Sequence, residues 1–104
     1  MSSSETRRKI KESPIYQGVD EQIAYLLTTT PWGSSPTSPI LTLKDKDGAD
    51  VTATYTTGST TVSGDVVTTK IIQNLTAGLK LRMEIKFTIS GNVFEAWADL
   101  YGQQ

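Results

Sequence analysis

The sequence predicts an all-β domain, an antiparallel sandwich of six to seven short strands preceded by a flexible N-terminal tail. Three observations carry this. In the segment Leu79 to Ile89 every odd position (Leu79, Leu81, Met83, Ile85, Phe87, Ile89) is apolar and every even one (Lys80, Arg82, Glu84, Lys86, Thr88) is polar. That is the period of a strand with one buried face, whereas a helix would scatter the same residues around its circumference. The chain is also rich in Thr, whose branched side chain suits a pleated surface. Finally, Gly, Pro, Asn and Asp punctuate the chain at intervals of about 8–12 residues, as in all-β sandwiches.

At 104 residues there is room for one domain with one core. Residues 1–13 are read as a basic tail: Arg7, Arg8, Lys9 and Lys11 outnumber Glu5 and Glu12, and only Ile10 is apolar after Met1. Such a segment is expected to be solvated and mobile, or a tether to an acidic partner or nucleic acid. The domain, residues 14–104, opens at Pro14 to Gly18, where Pro suits an edge or the entry into a strand and Gly18 ends it. Ile23 to Thr30 is expected to be a strand near the middle of a sheet, because both of its faces are rather apolar. Pro31 to Pro39 holds three Pro residues and Gly33 and reads as a loop.

Ile40 to Leu43 resumes as a strand, and Asp45-Lys46-Asp47-Gly48 is a turn signal. Val51 to Tyr55 is expected as a short strand. Thr61 to Ser63 and Val66 to Ile72 make the next strand or bent pair, broken at Gly64-Asp65. In the connection Asn74 to Gly78, Leu75 is expected to dip into the core. Leu79 to Ile89 then turns at Ser90-Gly91-Asn92 into the final strand. There Phe94, Ala96, Ala98 and Leu100 should face inward and Glu95, Trp97, Asp99 and Tyr101 outward. The whole describes an immunoglobulin-like sandwich, in architecture only, since the Cys–Trp–Cys signature of antibody domains is absent.

The composition excludes several chemistries as expectations. The formal net charge is −1, and beyond residue 13 nine acidic side chains face six basic ones, so a nucleic-acid surface is expected at most as a weak contact of the tail. Without Cys there can be no disulfide, zinc–thiolate site or thiol nucleophile. Without His the commonest general base and metal ligand are missing. No apolar stretch approaches the ~20 residues of a membrane helix, and no secretory signal is evident.

Asp45, Asp47 and Asp50 form the one carboxylate cluster, but their spacing is too short for an EF-hand and Lys44 and Lys46 oppose a cation. They are read as a solvated hairpin turn. Glu84 and Glu95 lie on the outward faces of the last two strands, where cross-strand ion pairing is expected rather than an acid pair in a cleft. No catalytic residue, metal or cofactor is therefore expected, and no small-molecule substrate. The residues singled out for interaction are Trp97, Tyr101 and Trp32. Exposed aromatics mark protein interfaces or sugar platforms. For Trp32 the stronger expectation is a cover over one open end of the core, and for Trp97 with Tyr101 an outer apolar stripe.

Pro14-x-Tyr16-Gln17-Gly18-x-Asp20-Glu21 and Thr30-Pro31-Trp32-Gly33-Ser34-Ser35-Pro36 resemble, in order, small proteins of tailed bacteriophages and prophages. Asp50-Val51-Thr52, Ser63-Gly64-Asp65-Val66 and Arg82-x-x-x-x-Phe87-Thr88-x-x-Gly91-Asn92 continue the likeness over about residues 14 to 101. The resemblance implies a β-sandwich product encoded among head and tail genes. It would act as a virion structural or adaptor module through contacts with other copies or virion proteins, in a virion or the host cytoplasm. A ligand- or carbohydrate-binding module using an exposed Trp is the alternative.

Overall fold

The computed structural model describes the backbone of Arg7–Lys9 and residues 13–104. The all-β expectation holds. The described strands are β1 (Arg7–Lys9), β2 (Ile15–Gly18), β3 (Leu26–Thr28), β4 (Thr37–Lys44), β5 (Thr56–Thr57), β6 (Thr61–Ser63), β7 (Val66–Thr68), β8 (Ile71–Ile72), β9 (Lys80–Ile89) and β10 (Asn92–Gln103). One helical turn, α1 (Thr52–Tyr55), interrupts them. No helix among the described residues is long and apolar enough to cross a membrane.

The largest sheet runs β1-β10-β9-β4, with β2 also on β10. The alternating run forms β9, as predicted, and turns through Ser90 and Gly91, both at positive φ, so that Asn92 opposes Ile89. Two consecutive positive-φ residues make the turn whose twist matches a hairpin. Two smaller groupings, β3-β7-β6 and β5-β8, meet at one point, where Ile23, just before β3, bridges Ile72 of β8. Leu27, Val67 and Ile72 from these join Leu41, Leu43, Leu81, Met83, Ile85, Phe87, Ala96, Ala98 and Leu100 from the large sheet in one hydrophobic cluster. Leu75 enters it from the connecting loop as anticipated.

Several expectations are corrected. Pairing is not antiparallel throughout, since β1 and β2 lie parallel along one edge of β10, at Glu95–Trp97 and Leu100–Gln103. A parallel neighbour needs a long connection, and the N-terminal strands reach the last strand with nearly the whole chain between them. Of the tail expected over residues 1–13, residues 1–6 and 10–12 lie outside the described residues, and Arg7–Lys9 is strand β1. The segment Ile23 to Thr30 yields only β3, which is an edge rather than a central strand, and Leu26 is 72% exposed. Val51 to Tyr55 is not a strand. The Asp50 carboxylate accepts hydrogen bonds from the N–H and hydroxyl of Thr52 and turns the chain into α1 instead.

One buried polar residue joins the layers. Gln17 on β2 is fully buried; its Nε2 donates to the Ile72 carbonyl at 2.7 Å and to the Glu21 carbonyl at 3.0 Å, and its Oε1 accepts from the Tyr25 hydroxyl at 2.7 Å. Burial and then the nearby Glu21 charge push the Tyr25 phenol up from 10.0 to about 12. A proton held more tightly in the folded state stabilises it fully below the unfolded pKa, and that contribution is lost as pH rises from about 10 towards 12. Urea midpoints measured on either side of this window should therefore fall more steeply for the native chain than for Tyr25→Phe. Parallel falls would show that the phenol does not titrate with folding.

Candidate functional site

The face of the large sheet turned away from the core collects the side chains with most to offer a partner. On β10 the small inward residues Ala96 and Ala98 alternate with outward Trp97, Asp99 and Tyr101. Register places Trp97 opposite Glu84, Asp99 opposite Arg82 and Tyr101 opposite Lys80. Lys44 of β4 continues the Arg82 row and Thr42 the Glu84 row. On the other side β2 sets Tyr16 beside Tyr101, and the two rings stack at 5.4 Å with an interplanar angle of 21°.

Cations lie over the rings. The Arg82 guanidinium sits 4.2 Å from the Trp97 ring centre, and Lys80 Nζ 5.7 Å from that of Tyr101. Such contacts hold a charged side chain flat on the sheet and cover apolar ring surface with a group that still meets water. Arg82 Nε also lies 3.4 Å from Glu84 Oε2, and Lys44 Nζ lies 3.5 Å from Glu84 Oε1. These are ion contacts rather than close hydrogen bonds, and Arg82 Nε makes no hydrogen bond among the described residues.

Glu84 departs from the solvated polar face expected for Lys80 to Thr88, because it is only 7% exposed. Two cations beside it and the large Trp97 ring opposite account for that. Register sets Glu95 opposite Lys86 and Glu84 opposite Trp97, so the two carboxylates lie on a diagonal and are not a directly opposed pair. Beside this array a shallow groove of about 230 Å³ is lined by Asp45, Lys46, Lys80, Leu81, Arg82 and Asp99.

Trp97 and Tyr101 are thus brought to one face, joined by Tyr16, while Trp32 is on the other side of the sheet. Its ring stacks on buried Phe87 at 5.5 Å and is itself half-buried against the core, the covering role expected of it. Tyr16 was legible as a strand residue, but nothing local to it tells that the last strand would stack against it. The Asp45 to Asp50 turn forms as a turn. Asp45 Oδ1 accepts from the N–H groups of Asp47 and Ala49, and the Thr52 hydroxyl and N–H hold the Asp50 carboxyl below its ordinary range. Among the described residues no acidic cluster is arranged to hold a metal ion.

Comparison of the chain with protein-family models, with curated proteins and with solved structures gives no match.

Proposed function

We propose that this chain is a non-enzymatic structural or adaptor domain of the phage and prophage type, acting through protein–protein contacts on the outer face of its large sheet. The observation that carries the reading is the grouping of Tyr16, Tyr101, Trp97 and Arg82 on one flat face. Tyr, Trp and Arg are the residues that most often dominate binding energy at protein interfaces, and a flat sheet offers a macromolecule more than it offers a small substrate. The phage setting, in a virion or the host cytoplasm, rests on the resemblance of the loop and turn motifs.

An immunoglobulin-like sandwich is the finer architecture we propose. Residues 37–44, 80–89 and 92–103 would take the places of the C, F and G strands, and residues 23–28, 56–63 and 66–72 those of B, D and E. The carbohydrate-platform alternative draws less from the geometry. Arg82 already covers one face of Trp97, and Tyr16 and Tyr101 engage one another.

Light scattering of the purified chain at rising concentration, with and without virion proteins of its own host system, tests the proposal. Self-association or co-assembly is expected, weakened about tenfold by Arg82→Ala or Tyr101→Ser, a loss of about 1.4 kcal/mol, more than most interface residues give on truncation. A strict monomer that joins no virion component would sink the structural reading. A glycan response abolished by Trp97→Ala would favour the alternative.

A further inference from the structure

A second surface lies at the opposite edge of the large sheet. β4 is its edge strand, and a groove of about 320 Å³ runs between β4 and the segment leading into β6, lined by Pro39, Ile40, Leu41, Gly58, Ser59, Thr60 and Lys70. Leu43 shows which backbone groups of β4 face outward: its N–H donates to the Thr52 hydroxyl and its C=O accepts from the Val51 N–H, both at 2.8 Å. Peptide groups two residues apart on a strand point to the same side. The N–H and C=O of Leu41 therefore point away from β9 too, into this groove, and neither has a hydrogen-bond partner among the described residues.

Three further features shape what fits. The Thr60 hydroxyl is screened from water and lacks a hydrogen-bond partner among the described residues. Ile40 is 49% exposed at the rim. Lys70 is the one charged side chain lining the groove, and no ion pair of its ammonium is found among the described residues.

We infer that the Leu41 edge and the Gly58–Thr60 segment form a strand-addition groove that takes one extended segment of a partner polypeptide, with a carboxylate set against Lys70. The segment would exchange two main-chain hydrogen bonds with Leu41, set a small apolar side chain against Ile40 and Pro39, and place its acid at Lys70. A second sheet edge is a poor occupant. Pro39 has no N–H, the register slips between Thr37 and Ile40, and Thr52 and Val51 occupy Leu43, so the unpaired window is a single residue, Leu41, only 4% exposed and recessed between two walls. This names a partner site within the protein-contact reading of the domain and rests on it.

The test is amide NMR on the full chain with the blocked peptide acetyl-Thr-Val-Asp-Val-Thr-amide as probe. In the free protein the Leu41 amide should exchange faster than that of Leu43. The probe should slow it and shift the amides of Leu41, Gly58, Ser59, Thr60 and Lys70. N-methylation of the probe's central residues should abolish the effect, because the contact is main-chain. Lys70→Glu should weaken binding about tenfold and transfer preference to a second peptide with Lys in place of the central Asp, as for a paired charge at an interface. A Leu41 amide as slow as that of Leu43 without probe, or probe shifts confined to Lys80, Trp97 and Tyr101, would overturn the inference. Association that is lost in Tyr101→Ser while the probe leaves Leu41 unmoved would remove this groove and leave the outer-face reading standing.

Discussion

Phe87→Ala is expected to destabilise the domain by about 3–5 kcal/mol, the range for emptying a large aromatic site in a core. The Phe87 ring is fully buried on β9, stacked with Trp32 at 5.5 Å and with Phe94 at 6.0 Å, at 24° and 25° to it. Its loss would leave a void the neighbours cannot fill without moving the loop that carries Trp32. That loop is held on two sides. The Asp65 carboxylate accepts from the Thr30 hydroxyl and the Ser35 N–H, and Gly33 lies so close to Ile89 that a Cβ there would meet its Cγ2 at 2.8 Å. Urea unfolding followed by tryptophan fluorescence should show the lower midpoint together with a more water-exposed Trp32 signal in the native baseline. A loss below about 1 kcal/mol would mean that the loop does not rest on Phe87.

Gly102→Ala should cost about 3 kcal/mol or more, at the upper end of overpacking effects, because the obstacle is backbone and cannot rotate aside. A Cβ on Gly102 would collide with the Thr76 carbonyl oxygen, with the Thr76 carbonyl carbon and Leu75 Cβ close behind at 3.0 and 3.3 Å. The same residue is laced to the loop by its N–H to the Leu79 carbonyl at 2.8 Å and by the Gly78 N–H to its own carbonyl at 3.1 Å. Gly91→Ala provides the comparison. Gly91 has φ 82° but open space around a Cβ, so only its backbone preference is at stake, worth about 1 kcal/mol. Equal thermal shifts for the two variants would contradict the close approach. Gly102 follows directly on Tyr101, so its variant should also loosen the face proposed for binding.

The two glycines show where sequence reading stops. Ser90-Gly91-Asn92 sits between two alternating runs, and its turn is a local property of those residues. Gly102 follows an alternating run with no turn signal around it, and the reason for a glycine there is a loop more than twenty residues earlier in the chain. The segment Val51 to Tyr55 misleads for a related reason. Its residues favour strands, but the preceding Asp50 offers Thr52 a competing hydrogen bond, and Val51 is held by Leu43 across the Asp45 to Asp50 turn.

The candidate site divides along the same line. That Trp97 and Tyr101 share a face follows from their spacing on a strand whose other face is Ala96, Ala98 and Leu100. That Tyr16 joins them depends on β2 pairing parallel to β10, and the near-burial of Glu84 depends on Lys44, Arg82 and Trp97 arriving from β4, β9 and β10.

By itself the sequence determined the all-β class, the β9–β10 hairpin and which side of those two strands carries the apolar residues of the core. These follow from a period of two residues, which neighbouring side chains carry without help from the rest of the chain. Only the tertiary structure decided the parallel placement of the N-terminal strands, the Gln17 clamp between layers, the stacked tyrosines and the unpaired main-chain groups of Leu41. Each is a pairing between distant segments, set by long-range register and by which backbone groups nearer neighbours had already satisfied.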